Sequence, residues 1–411
     1  MTLDHWNDDS LRAVTTVAMS PEFSSDRLWL NGKEDGQAST NARFRACIDG
    51  VKNMAITSKT PIKLNDGSLL DVEELKTMHF HVSSYNTFPT AAGLASSAAG
   101  YAALVAAMAA LLQVTDQSPG AFEGQLSTIA RQGSGSACRS LYGGFVAWRR
   151  GGASLPDDHL SKGGSESDWH DSRAQQVASE QHWPDLRALI LVVSDLQKDT
   201  SSTNGMLTSV QTSSLLQHRA QTVVPERMKQ MEQAIAEKDF TSFAKLTMQD
   251  SNQFHATCLD TYPPIFYMND TSRTIIRIVT LYNEFYATTN PETLRAAYTF
   301  DAGPNAVLYV PEVHVVELAA LMLHYFGEKA MVQQWVQQKP EFATKIAAFT
   351  LDSNLLQACD KAFGRSGNPK SHVGNVKCMY YTQPGPGPKV LENECNLDLN
   401  TGLNTFVPSK K

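Results

Sequence analysis

Residues 86–107 read NTFPTAAGLASSAAGYAALVAA, and the fold follows from how that stretch is parsed. Just upstream, His79 to Ser83 alternates as a strand; Pro89 to Leu94 is a turn; the Ala-rich remainder is a helix. The longest apolar run, Leu94 to Leu112, is mostly Ala with two Ser and a Gly. Ala gains little from lipid, so this is a buried helix and not a membrane span. A turn of small residues leading into a helix leaves unpaired N–H groups and the positive dipole end facing outward, which suits an anion. Ser96 and Ser97 add hydroxyls in the first turn. No Gly-Lys-Ser/Thr closes the loop, so it is not a Walker A motif, and a tight helix start packed by Ala is the plain alternative.

Two further segments carry chemistry. Ser134-Gly135-Ser136-Ala137-Cys138-Arg139-Ser140, followed by Gly143-Gly144, offers hydroxyls, flexible backbone and one guanidinium. That set suits a diphosphate or carboxylate, which Arg grips in a bidentate way; a flexible surface loop is the alternative. The spacing is not Gly-x-Ser-x-Gly, which excludes a serine-hydrolase elbow. Asp301-Ala302-Gly303-Pro304-Asn305 follows a short strand, and an Asp at a strand end could orient a hydroxyl or take its proton, or simply cap the turn. Ser201-Ser202-Thr203-Asn204-Gly205 reads as an N-cap run. His255 reads as packed or capped and not as a base. His79 and His81 share a strand face without a third metal ligand.

Working outward, Arg27–Leu30 is a strand entering an Asn31-Gly32 turn, 41–55 is helical, 57–76 a loop, 119–131 a helix and 144–148 a strand. Residues 150–173 form a Gly/Ser/acid-rich surface loop. The run RALILVV (187–193) is a strand covered on both faces. Helices follow at 224–237, 240–256 and 271–286, strands at 296–299 and 306–310, a helix at 313–326, a strand at 377–382 and a Pro/Gly hinge at 383–388. A boundary near 183–186 separates two mixed halves, 1–184 and 185–411, so the class is α/β or α+β.

Composition narrows the function. Apolar residues at 42% exclude a disordered chain, and a net charge of −7 argues against a nucleic-acid binder, which needs a basic surplus. Six scattered cysteines, none in a Cys-x-x-Cys, read as buried free thiols in a reducing compartment. The segment from Met1 to Val14 lacks signal-peptide blocks, and Ser409-Lys410-Lys411 lacks the final Leu of a peroxisomal tripeptide. A soluble cytoplasmic protein without a membrane or nucleic-acid partner is expected.

Taken together, residues 86–107, RQGSGSACRSLYGGFVAW (131–148), MQDSNQFHATCLDTYPPIFYMND (248–270), AYTFDAGPNAVLY (297–309) and YYTQPGPGP (380–388) resemble the GHMP kinase superfamily. Within it, they resemble the mevalonate diphosphate decarboxylase family, in its fungal form. The likeness spans nearly the whole chain. It implies a two-domain α+β fold with mixed sheets, packed helices and a cleft between the domains. It also implies ATP-dependent decarboxylation of mevalonate 5-diphosphate to isopentenyl diphosphate, in isoprenoid and sterol biosynthesis, by a homodimer using ATP and magnesium.

By resemblance, Asp301 takes or orients the 3-hydroxyl proton. Ser134, Gly135, Ser136, Ala137, Cys138 and Arg139 hold the diphosphate and carboxylate, with Arg139 supplying charge. Arg43, Ser202 and Thr203 are further substrate contacts. Pro89, Gly93, Leu94, Ala95, Ser96, Ser97 and Ala98 form the ATP phosphate loop, with Ser96 orienting the transferring phosphoryl group; no residue is assigned to the metal. The family's opening Lys-Tyr-Trp-Gly-Lys strand is not found in this chain. Its loss would remove a sheet edge and a cation near Asp301, as in an incomplete gene model or a splice form. Two alternatives stay open: a kinase of the same superfamily without decarboxylation, and a catalytically impaired binding or regulatory homologue.

Overall fold

The computed structural model describes residues 11–64, 66–88, 96–150, 172–196, 199–287, 293–337, 339–364, 372–391, 394–398 and 400–408. The first half contains β1 (Ala13–Ser20), β2 (Arg27–Leu30), β3 (Lys33–Glu34), α1 (Ala42–Ser58), a small hairpin of β4 (Ile62–Lys63) and β5 (Leu69–Leu70), and β6 (His79–Asn86). These are followed by α2 (Ser96–Leu111), α3 (Gln125–Gly133), a 3-10 segment at Gly135–Leu141, and a hairpin of β7 (Phe145–Trp148) and β8 (Ala174–Ala178). The sheet order is β1-β6-β2-β3, with β1 antiparallel and β2 parallel to β6. Asn31 and Gly32, both at positive φ, make the β2–β3 turn, as a two-residue hairpin requires.

The alternation along β6 sorts its two faces. Phe80 and Val82 enter a core with Phe44, Ile48 and Val51 of α1 and Val105 and Met108 of α2. His81, Ser83 and Tyr85 point the other way, under the C-terminal segment 394–408. There Gly402 C=O lies 2.9 Å from His81 Nδ1, the Ser83 hydroxyl donates to Asn404 Oδ1 at 2.7 Å, and Phe406 stacks on Tyr85. Arg12 and Tyr85 both donate to the Glu394 carboxylate.

The second half runs through β9 (Leu186–Val192), α4 (Ser202–Thr212), α5 (Ser214–His218), a π-turn at Arg219–Val223, α6 (Val224–Glu237), α7 (Phe240–Asp260), α8 (Asp270–Ala287), β10 (Ala297–Phe300) and β11 (Ala306–Pro311). It closes with α9 (Glu312–Phe326), α10 (Val332–Trp335), β12 (Val336–Gln337), α11 (Pro340–Ala348), α12 (Ser353–Gly364) and β13 (Cys378–Thr382). Its sheet order is β10-β11-β9-β13-β12; only the β12–β13 pair is parallel. Leu189 and Leu191 pack with Ile275, Ile278, Leu318 and Met322, whereas Ile190 and Val192 pack with Tyr380 and Leu11. The RALILVV strand is therefore buried on both faces, as read, though between antiparallel neighbours. A smaller core of Phe145, Trp183, Leu186, Ala234 and Phe243 joins the two halves.

Several boundaries differ from the sequence reading. The 57–76 loop contains the β4–β5 hairpin and a 3-10 helix at Val72–Thr77, because Ile62, Leu70, Val72 and Leu75 are buried and bring their backbone into order. The helix placed at 119–131 starts only at Gln125: Gly120 and Gly124 sit at φ 79° and 80°, in the left-handed region a right-handed helix does not use. The 240–256 helix extends to Asp260. Most of the 150–173 loop, residues 151–171, lies outside the described residues, as do residues 1–10.

Candidate active site

Asp301 follows directly on β10 and is exposed. Behind it, the Phe300 N–H donates to Ser251 Oγ of α7 at 3.0 Å, and the Tyr298 hydroxyl donates to Asn252 Oδ1 at 3.1 Å. The turn itself is tied down residue by residue. Ala302 N–H donates to Asp301 Oδ1 and Gly303 N–H to the Asp301 carbonyl, both at 2.7 Å. Ser272 of α8 donates to the Pro304 carbonyl at 2.8 Å. Buried Asn305 accepts from the Val193 and Ser194 N–H groups and donates to the Ser194 carbonyl, using an amide's mixed capacity to splice the turn onto the end of β9. Asp301 thus caps its own turn and still presents an exposed carboxyl group.

The groups beneath Asp301 are neutral. Burial pushes the Cys258 thiol up to about 11 and the Tyr267 hydroxyl up to about 12, with the Asp301 charge adding to both. Burial pushes the His255 imidazole below its ordinary value, against the Phe300 carbonyl and Asp301, which pull it up. Among the described residues, the groups packed beneath the carboxylate are therefore an uncharged thiol, phenol and imidazole.

Tyr267 connects this turn to α4. Its hydroxyl donates to the Ser201 carbonyl at 3.5 Å, and a Cβ on Gly205 would overlap that hydroxyl, so glycine is what lets the helix approach. Ser201 caps α4 by accepting the Asn204 N–H at 3.2 Å, as the N-cap reading expected, and this sets Ser202 and Thr203 in the first turn. Arg43, on α1 just after the Asn41 cap, donates from Nη2 to Thr203 Oγ1 at 3.0 Å, across 160 residues of sequence. Two substrate contacts proposed from separate halves of the chain therefore touch.

On the first half's side, Pro89, Gly93, Leu94 and Ala95 lie outside the described residues; α2 begins at Ser96, with Ser97 exposed and Ala98 buried. Gly133 ends α3 where a Cβ would overlap the Tyr101 ring and sit 2.8 Å from Cys47 Sγ, which holds α1, α2 and α3 together at this end. The next residues are not a flexible surface loop. Ala137 and Cys138 are buried in a 3-10 turn, Ala137 in the same core as Ala98, while Ser134, Gly135, Ser136 and Arg139 are half-buried. The Arg139 guanidinium lies 5.7 Å over the Trp148 ring, a cation–π contact that holds it at the surface. The hinge segment crosses here as well: Gly144 N–H donates to the Gly385 carbonyl at 2.8 Å, and a Cβ on Gly143 would sit 2.6 Å from the Gly387 nitrogen.

Among the described residues, no ion pair joins Asp301 to Arg139 or Arg43, and no group of three or more His, Cys, Asp or Glu could hold a metal ion. No described helix is long and apolar enough to cross a membrane. Sequence reasoning passed over Tyr267, Gly205 and Trp148. Gly205, at the end of the N-cap run, was the one available signal, since glycine where a helix begins needs a packing reason.

A family model described as "Diphosphomevalonate decarboxylase-like N-terminal domain" matches residues 1–160, and one described as "Mevalonate 5-diphosphate decarboxylase C-terminal domain" matches 188–391. The diphosphomevalonate decarboxylase of Ganoderma lucidum is 46% identical over 395 residues, covering 96% of this chain and 88% of that protein. A solved mevalonate 5-diphosphate decarboxylase is 41% identical with a TM-score of 0.72, covering 96% of this chain and 91% of that one. The solved chain MDDEF, in complex with MVAPP, AMPPCP and magnesium, is 29% identical with a TM-score of 0.56, covering 78% and 84%. With both halves matched and the α+β architecture shared, this chain belongs to the mevalonate diphosphate decarboxylase family.

Proposed function

We propose that this chain is an ATP-dependent carboxy-lyase that converts (R)-mevalonate 5-diphosphate to isopentenyl diphosphate, ADP, phosphate and CO2. The observation that supports the reading is the Arg43–Thr203 hydrogen bond, which joins a residue of each half at the helix that Tyr267 links to the Asp301 turn. Asp301 accepts or orients the proton of the tertiary 3-hydroxyl, whose oxygen attacks the γ-phosphorus of ATP as the bond to the bridging oxygen breaks and ADP leaves. The new phosphate then leaves C3 with its bonding pair, and breaking the bond to the carboxylate returns a pair to form the double bond and release CO2. Arg139, with Ser134, Gly135, Ser136, Ala137 and Cys138, holds the diphosphate and carboxylate. Arg43, Ser202 and Thr203 complete the substrate contacts, aided by the positive end of α4.

ATP phosphates fall to the segment Pro89, Gly93, Leu94, Ala95, Ser96, Ser97 and Ala98, whose described part is the first turn of α2. MDDEF holding AMPPCP and magnesium supports the same co-substrate here. Magnesium, which MDDEF holds together with AMPPCP, would neutralise phosphate charge. The two domains are 1–184 and 185–411, and the working form is a cytoplasmic homodimer in isoprenoid and sterol synthesis. Light scattering at assay concentration and cell fractionation test those last two statements.

The deciding experiment measures ADP and CO2 release from mevalonate 5-diphosphate, ATP and magnesium, with Asp301→Ala as control. Equimolar ADP and CO2, with kcat reduced about 10²–10⁴-fold in the control, is expected. ADP without CO2 would instead identify a kinase, and ligand binding with neither product an impaired homologue.

A further inference from the structure

Trp148 closes β7 with 38% of its surface exposed, although tryptophan is on average a well-buried residue. Three contacts fix its ring. A Cβ on Gly135 would come within 3.0 Å of the indole Cη2, so the ring lies against bare backbone there. The indole N–H donates to Ser172 Oγ at 2.8 Å, and that hydroxyl donates in turn to the Arg149 carbonyl at 2.9 Å. The third neighbour is Arg139, whose guanidinium carbon lies 5.7 Å over the ring centroid, within reach of a cation–π contact.

Among the described residues Arg139 makes no ion pair, whereas Arg149, next to Trp148, pairs with Glu232. The difference decides what each arginine can do. A carboxylate partner offsets the guanidinium charge and occupies its planar fork of donors, so an anionic ligand would have to displace it. The face of an indole attracts the same cation through its quadrupole, carries no net charge and accepts no in-plane N–H. We propose that Trp148 is a positioning residue for substrate binding: its indole, seated on Gly135 and tied to Ser172, holds the Arg139 guanidinium ordered but unneutralised for the diphosphate or carboxylate of the substrate. It acts through Arg139 and touches no reacting atom.

This inference rests on the decarboxylase reading, in which Arg139 contacts the substrate, and its test separates the two. Calorimetric Kd for mevalonate 5-diphosphate, KM for both substrates and CO2 release are measured in wild type, W148F, W148L, S172A and R139Q. W148L and S172A are each also combined with R139Q. An arginine that must be ordered at the moment of binding costs about 3- to 10-fold in affinity. W148L should weaken mevalonate 5-diphosphate by that factor in Kd and KM, with KM for ATP unchanged. W148F keeps an aromatic face and should recover most of the loss; S172A, which frees the indole, should show part of it. In the R139Q background W148L should add nothing, because the effect passes through Arg139. Should W148L not fold, S172A with and without R139Q decides, and an unchanged Kd in S172A then overturns the proposal. Unchanged Kd in W148L, equal losses in W148F and W148L, or the same loss with and without Arg139 would each overturn it as well. So would a parallel rise in KM for ATP, the sign of a general disturbance of the fold. Wild-type binding without CO2 release would overturn the decarboxylase reading alone, since Kd in the variants still decides for or against Trp148. A wild type that does not bind the substrate would overturn both.

Discussion

Asp301 stands exposed at the end of a strand whose last residue is held from behind by a helix some fifty positions earlier in the chain, at Ser251. Its place was legible because an acid after a strand, followed by Gly-Pro-Asn, is a local pattern. Tyr267 and His255 were not legible as members of the site, since no spacing tells which residues of a helix and the loop after it will lie against a turn formed later. Histidines also supply a prediction at this scale. Burial, first among the causes, holds His81, His255 and His314 below their ordinary value. Above about pH 6.5 both folded and unfolded chains carry these rings neutral. Below it the unfolded chain takes up protons that the fold refuses, so stability is lost as pH falls toward the lowered values. The thermal midpoint should be lower at pH 5.5 than at pH 7.5, and H314Q, away from the site, should show a shallower decline. A flat profile in wild type would rule this out.

Among the elements, long helices were read well where apolar spacing extends over several turns: α6 begins and ends at the expected residues, and α8 within one of them. The short ones were not. The β4–β5 hairpin has only two residues per strand, too few for a period to show. The 3-10 turn at Gly135–Leu141 mixes serine and glycine with two buried residues, so composition suggested more freedom than packing allows. The element that most directly couples packing to the candidate site is α4, which can approach Tyr267 only because position 205 has no side chain. G205A should push the α4 start away from Tyr267 and strain the fold by about 1–3 kcal/mol. Because Thr203 and Ser202 travel with that helix, KM for the diphosphate substrate should rise more than kcat falls. Steady-state kinetics with calorimetry on G205A checks both, and wild-type values in each would show that the helix has slack.

For the whole molecule, the two mixed halves were legible, but the manner of their joining was not. The Pro/Gly stretch at 383–388 reads as a hinge in sequence, yet Gly143 and Gly144 lie directly against it, backbone on backbone. Beyond it, residues 394–408 return to cover the outer face of β6, and their bonds to Arg12, His81, Ser83 and Tyr85 link positions 309 to 382 residues apart. Removing residues 394–411 should strip partners from several enclosed groups at about 1–3 kcal/mol each. The expected result is a lowered first unfolding transition and faster deuterium exchange in β1 and β6, with the β9–β13 pairing little altered. Equal loss of protection in both sheets would mean that the two halves do not unfold separately.

That returning segment also orders events in time. On the ribosome, β6 emerges more than 300 residues before the tail that covers it, and contacts so distant in sequence form late because the intervening loop must close first. The first sheet can assemble its helical face early but must wait, one side wet, until translation has passed through the second half. A premature stop within the codons for 394–408 would spare every proposed catalytic residue and still damage the half of the molecule that was made first.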